Sequence, residues 1–360
     1  MTRNLETAMV TSYPSYTGIG RFSDSLNDFG LYSKYYFFNY NKIDKKDINI
    51  DHQYIAVSPI NFLKRFYYFS SFFWQTKWSR ILKKYQLIHV TSPDFFHLSK
   101  FNLNIIGTIH DVYALDISTR KQMGFLYGKS LKLDLEYANN LLGLTSVSKC
   151  TANLFNKWYP NVRIKVIHNW TKNIFMKRNK LLARSNLNLP LQKFIILNVS
   201  NDSPNKNTEF LMNILEIIKC DYLFIHIGKM HMRKSQLKNM INVNYVIDDE
   251  TLSLYYNAAD LYIAPSKQEG FNYPIIEAIN SGLPVVASKI PIFREVLRNS
   301  PYLLGFNDLS EWVDIIESVS SNKNELKDMG NWFETEIGNY YRTTRAKEEF
   351  INYLQELDIL

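Results

Sequence analysis

Two carboxylates eight positions apart, Glu269 and Glu277, stand in the run LYIAPSKQEGFNYPIIEAINSGLPVVASK, residues 261–289. The apolar stretch up to Ser266 reads as a buried strand, and KQEGFNY as the loop that leaves it. Pro274 then opens a helix, because the N–H it lacks would find no partner in a first helical turn. Gly282 falls just past the end of that helix and Pro284 closes it. The backbone amides of Gly270, Phe271 and Asn272 therefore lead into a helix N-terminus, a place that favours an anion or a set of hydroxyl oxygens. Glu269 sits in the loop and Glu277 about one turn into the helix, so both can face one cleft. A carboxylate can accept hydrogen bonds from two adjacent hydroxyls, which suits a sugar or a ribose. The blander alternative makes Glu269 a solvated loop charge and Glu277 a helix-surface one.

These residues need a frame, and short apolar, β-branched runs supply it. TAMVTS (7–12), YYFFNY (35–40), YIAVSP (54–59), LIHVTS (87–92), NIIGTIHD (104–111), LLGLTSVS (141–148) and IKVIHN (164–169) recur through the first half. FIILNVS (194–200), YLFIHIG (222–228), NYVID (244–248), LYIAPS (261–266) and PVVASK (284–289) recur through the second. Several are apolar throughout rather than alternating, as in parallel strands covered on both faces. Helix-length segments separate them, which predicts an α/β architecture of two doubly wound, Rossmann-like domains. The polar stretch TKNIFMKRNKLLARSNLNLP, residues 171–190, is the seam. The expected division is 1–178, 179–335 and a helical tail, 336–360, packing back on the first domain. In open sheets of this kind ligands gather at the carboxyl ends of the strands.

With that frame in place, EGFNYPIIEAINSGLPVVAS resembles the E-x7-E element of GT-B glycosyltransferases of family 4, and SKIPIFREVL (288–297) resembles its continuation. The resemblance is strongest over 190–300 and weakest over 60–86. It implies a GT-B fold, two domains facing across a cleft, and retaining transfer of a hexosyl unit from a nucleotide-diphosphate sugar to an acceptor hydroxyl. It implies no metal and no other cofactor. Glu269 would contact the donor sugar hydroxyls, Glu277 the ribose, and Gly270, Phe271 and Asn272 would offer amides to sugar or diphosphate. Asn272 stands where the family often has Gly.

LNVSNDSPNKN (197–207) is similar to the segment in which a family lysine meets donor phosphate, which falls on Lys206. A cation there suits a leaving group that gains negative charge. Asn201 replaces the usual arginine, and it is retained as a donor-side residue. PSYTGIGRFSDSL (14–26) resembles the family's glycine loop. Gly18 and Gly20 are expected to take backbone angles that other residues avoid and to let the donor approach closely. The alternative for them is a plain tight turn. His110, in TIHD (108–111), matches a family histidine that faces the donor sugar, with Asp111 capping or orienting. A lone histidine at a strand end is otherwise simply a hydrogen-bonded core residue.

The 360 residues carry a net charge of +8, with 46% apolar and 21% charged residues, ordinary for a globular protein. The basic balance suits acidic partners without choosing among them. Cys150 and Cys220 are expected to be reduced core residues. No secretory signal and no run long enough to span a bilayer is read, so the expected place is the cytoplasm or the cytoplasmic face of a membrane. FLKRFYYFSSFFWQTKWSRILKK (62–84) interleaves aromatics with Lys and Arg. It reads either as an interfacial helix suited to a lipid-linked glycan acceptor or as a helix packing Phe62, Phe66, Phe69 and Phe73 on the sheet. Two rival functions stay open: a non-catalytic scaffold binding glycan or a partner protein, and sugar transfer onto DNA, for which no nucleic-acid motif is found.

Overall fold

The computed structural model describes residues 6–15, 17–39, 53–56, 67–115, 125–229, 239–244, 247–338 and 340–359. They form two compact units, Met1–His168 with Lys347–Leu360, and Asn169–Ala346.

The first unit holds a parallel sheet. Its described strands are β1 (Thr7–Thr11), β2 (Lys34–Asn39), β3 (Gln53–Ala56), β4 (Leu87–Val90), β5 (Ile105–Ile109), β6 (Gly143–Ser146) and β7 (Lys165–Val166). Their order is β3-β2-β1-β4-β5-β6-β7, so the winding reverses between β1 and β4. Every residue of β1, β4, β5 and β6 is buried, which is why these runs are not alternating. Helices in the crossovers cover the faces. Helix Tyr67–Leu82 sets Trp78 edge-on against Phe95 at 5.4 Å, and Trp78 and Leu82 are fully buried. A side chain of this size contributes roughly 1.5–3 kcal/mol when buried. From Gln75 onward, Trp78 and Leu82 of the aromatic, basic stretch are core, while Lys77, Arg80, Lys83 and Lys84 are exposed. Residues 62–66, and the side chains of 67–74, lie outside the described residues.

The second unit repeats the plan with β8 (Phe194–Val199), β9 (Tyr222–Ile227), β10 (Met240–Val243), β11 (Leu261–Ala264), β12 (Val285–Ser288) and β13 (Leu303–Leu304). Their order is β10-β9-β8-β11-β12-β13, all parallel, with the reversal between β8 and β11. Two doubly wound Rossmann-like units are what the strand pattern predicts. The run expected at 244–248 is displaced: the strand ends at Val243, paired with Ile227, and residues 245–246 lie outside the described part. The two-residue β13 carries no periodicity and is not foreseen.

The units divide after His168 rather than after 178, and again after Ala346 rather than after 335. Hydrogen bonds explain both places. Thr171 N donates to Tyr341 O at 2.9 Å, and Thr343 Oγ1 donates to Thr171 O at 2.9 Å, which ties residues 169–178 into the second unit. Helix Thr343–Glu356 ends in the first unit, where Leu144 N donates to Tyr353 Oη at 2.9 Å and Phe350 stacks on His89 at 5.3 Å.

Arg184, on helix Lys180–Asn186, is 3% exposed, and its guanidinium joins several elements of the second unit. It donates to Ala258 O, Leu191 O and Lys193 O, and to Asp260 Oδ2 at 2.6 Å. The same carboxylate oxygen accepts from Ile195 N at 2.8 Å. This buried ion pair fixes the entry to β8 and β11, and a buried arginine of this kind must be fully hydrogen-bonded to persist. Cys150 and Cys220 are free and half-buried, so neither is the core residue expected.

Candidate active site

The loops that follow β8 and β11 meet at the reversal of the second sheet. The β8 loop ends in a 3-10 turn, Pro204–Lys206, closed by Asn207 in the left-handed region at φ 56°. The β11 loop runs to Asn272, where helix Tyr273–Asn280 begins with Pro274 in its first turn, as expected. Backbone and amide bonds tie the two loops: Lys267 N donates to Asn205 O at 2.8 Å, and Asn205 Nδ2 to Gln268 O at 2.9 Å.

Three donors converge on one oxygen. Glu269 Oε1 accepts from Lys206 Nζ at 2.6 Å, Ser266 Oγ at 2.7 Å and Asn272 Nδ2 at 3.0 Å. The Lys206 and Glu269 side chains are 18% and 7% exposed, so Glu269 is not a solvated loop charge. Charge-assisted bonds in such a setting contribute on the order of 1.5–3 kcal/mol each. Glu269 Oε2 accepts no hydrogen bond from the described residues. The site thus holds one carboxylate oxygen rigidly and leaves the other as an acceptor.

Asn272 has φ 80° and ψ 84°. A glycine takes that conformation without strain, whereas a residue with a Cβ gives up roughly 1 kcal/mol or more. It also stands at the N-cap without making a cap bond. Phe271 is buried edge-on to Tyr341 at 5.6 Å, and Gly270 beside it is partly buried. Glu277 is 1% exposed and accepts from Tyr256 Oη at 2.9 Å. It is therefore not a helix-surface charge either. Asn201 is exposed, and its Oδ1 accepts from Ser203 Oγ at 2.6 Å and closes its own loop.

Around the reversal of the first sheet stand the other expected residues. Gly18 and Gly20 open helix Gly18–Asn27, capped by Thr17 Oγ1, which accepts from Gly20 N at 3.0 Å. Neither takes the positive φ expected of it. The reason for glycine differs between them. A Cβ on Gly20 would meet Pro14 O at 1.9 Å, so the helix passes hard against the preceding loop. A Cβ on Gly18 would meet nothing within 4 Å, so that position opens onto space. His110 follows β5 and packs edge-on to Phe22 of this helix at 4.8 Å. Its Nε2 lies 2.9 Å from Thr91 O, a carbonyl that can only accept, so Nε2 carries the proton. Burial pushes the imidazole down to about 4 and keeps it neutral at pH 7. Asp111 Oδ1 accepts from Tyr113 N at 3.1 Å, the local orienting bond expected of it.

The second unit therefore brings Lys206, Glu269 and Asn272 together, while Glu277 is buried on the following helix against Tyr256. Ser266 and Asn205 are partners that sequence reasoning missed; their positions at strand and loop ends were the available signal. His226, which shows no ligand spacing, lies 1% exposed on β9 with Nδ1 3.0 Å from Asn198 Oδ1. Asn198 Nδ2 donates onward to Ile263 O at 2.8 Å, so β9, β8 and β11 are cross-linked near the roots of both loops.

Residues 179–332 match the family model described as glycosyl transferases group 1. The chain is 25% identical over 267 residues to the O-antigen biosynthesis glycosyltransferase WclY of Escherichia coli, covering 68% of this chain and 72% of that protein. It is 30% identical over 97 residues to the O-antigen chain mannosyltransferase RfbU of Salmonella typhimurium, 27% of this chain and 28% of that one. Among solved structures, Anabaena HepE in complex with UDP and glucose superimposes with a TM-score of 0.80 at 14% identity, over 98% of this chain and 100% of that one. The fold is GT-B, and the chain is a glycosyltransferase.

Proposed function

We propose that this enzyme moves a hexosyl unit from a nucleotide-diphosphate sugar to an acceptor hydroxyl with retention at the anomeric carbon, in the manner of family 4. The observation that carries this reading is the Lys206–Glu269 pair at the sheet reversal, a cation and an acid joined at 2.6 Å between two tied loops. In the reaction the bond between the anomeric carbon and the diphosphate oxygen breaks, and the diphosphate departs with the electron pair. Lys206 supplies positive charge to it, and the amides of Gly270, Phe271 and Asn272 add dipoles. This role asks for no metal. Glu269 Oε2 accepts from sugar hydroxyls, and Glu277 sets the helix that follows and addresses the ribose. His110, neutral, orients the sugar through its unprotonated Nδ1. The acceptor oxygen bonds to the anomeric carbon on the face the diphosphate leaves, and its proton passes to the departing phosphate. Rate then comes from placement and charge stabilisation rather than from a strong base.

The UDP and glucose held by Anabaena HepE support a uridine donor. The O-antigen names of the bacterial relatives support a glycan acceptor, and a lipid-linked glycan at the cytoplasmic face of a membrane is the form proposed for it. Among the described residues no helix is long and apolar enough to cross a bilayer. The test is a panel of nucleotide sugars screened by thermal shift, then donor hydrolysis and transfer with the best ligand. A donor that binds the native state raises its melting temperature. The reading expects one nucleotide sugar to bind and Lys206→Ala to cut turnover at least tenfold. No ligand in the panel, or wild-type turnover in Lys206→Ala, would count against it.

A further inference from the structure

Asn272 meets three conditions that work against it locally. It holds a left-handed backbone, φ 80°, that glycine would take freely. It occupies an N-cap position, where asparagine ordinarily accepts from an early helical N–H, and makes no such bond. Its Oδ1 is buried with no hydrogen-bond partner. What the side chain does make is the bond from Nδ2 to Glu269 Oε1 at 3.0 Å. Strain and an unsatisfied polar atom retained together at one residue point to a role in function rather than in folding.

We propose that Asn272 is a positioning and specificity-determining residue for the donor sugar, an inference that rests on the donor-site reading above. Oε1 is shared by Lys206, Ser266 and Asn272. When a diphosphate draws the lysine off, Asn272 and Ser266 remain to hold the carboxylate, so Oε2 keeps its aim at the sugar. Asn272 Oδ1, closed off in the free protein, is uncovered as the lysine moves and accepts from a hydroxyl or amide N–H of the transferred sugar, and donors lacking that group at the right carbon lose the bond. Sites built to hydrogen-bond a substrate group discriminate strongly against analogues without it.

Asn272→Gly removes the amide and relieves the backbone, so the fold is retained. With the best donor from the panel, its epimers and its deoxy forms, the variant should keep nucleoside diphosphate affinity within about twofold. Its kcat/KM for that donor should fall at least about tenfold, and its preference over the epimers should narrow by about fivefold or more. Asn272→Asp, matched in shape, turns an acceptor toward Glu269. Its kcat/KM should fall at pH 8 and recover as the pH drops and protonation restores a donor. Asn272→Gly with wild-type kcat/KM and wild-type selectivity, or Asn272→Asp with an unaltered pH profile, would overturn the proposal while leaving the donor site standing. A wild-type protein that binds no nucleotide sugar would remove the donor reading, and this inference with it.

Discussion

Glu269→Gln should bind a nucleoside diphosphate more tightly than the wild type, although it loses turnover. In the free protein the Lys206 ammonium is held on Glu269 Oε1 at 2.6 Å, with both side chains largely shielded from water. A phosphate must compete with that carboxylate for the lysine. A hydrogen bond with a charged partner contributes about 1.5–3 kcal/mol, and an opposite charge on the other partner adds to it. The glutamine oxygen still accepts from Lys206, Ser266 and Asn272, and the ammonium keeps its bond charge-assisted, so the substitution removes only the attraction between the two opposite charges, on the order of 1 kcal/mol. At 1.4 kcal/mol per factor of ten, affinity for the diphosphate should rise about fivefold. Isothermal titration calorimetry of wild type, Glu269→Gln and Lys206→Ala measures it, with Lys206→Ala expected to bind weakest. If Glu269→Gln binds equally or more weakly while Lys206→Ala loses affinity, lysine meets phosphate without competition from Glu269, and the reasoning fails.

Acid should destabilise the first unit. Burial pushes His89 down to about 3 and His110 down to about 4, from a usual value near 6.5. Below pH 6.5 the unfolded chain takes up protons that the folded one refuses, so stability present above 6.5 is lost as the pH falls, down to about 3–4. Asp134, raised by burial to about 6, acts oppositely and returns about 1 kcal/mol between pH 7 and 5. The net loss over that window is on the order of 3 kcal/mol, readable as a fall in urea midpoint; a flat midpoint refutes it. Gly20→Ala should cost about 1–3 kcal/mol, because the new Cβ meets Pro14 O. Gly18→Ala, with open space and helical backbone, should be neutral or stabilise by up to about 1 kcal/mol. Thermal unfolding separates the two, and a loss of donor turnover in Gly18→Ala without loss of stability marks that position as substrate-facing.

The double winding was legible because parallel strands covered on both faces write themselves as unbroken apolar runs, as LIHV and LYIA do. β13 has two residues and no period to read, and the true place of β10 depends on its register with β9 rather than on its own composition. At the site, the strand–loop–helix punctuation around Pro274 located Glu269, Glu277 and the amides between them. What composition could not show was who shares Glu269 Oε1, since Ser266 and Lys206 reach it from different loops. The glycines show the same limit. A glycine signals either an unusual backbone angle or a near neighbour, and at Gly20 only the place of Pro14 in the fold decides for the neighbour. Conversely, Asn272 carries the left-handed angle that a glycine would have announced.

Helix Thr343–Glu356 begins in one unit and finishes in the other. The ribosome therefore makes Asn169–Ala346 as one uninterrupted piece, while the first unit waits for a segment synthesised after all of it. Until then Leu144 N lacks the Tyr353 hydroxyl and His89 lacks its stacking ring. The first unit can therefore be completed only after every residue of the second has been made.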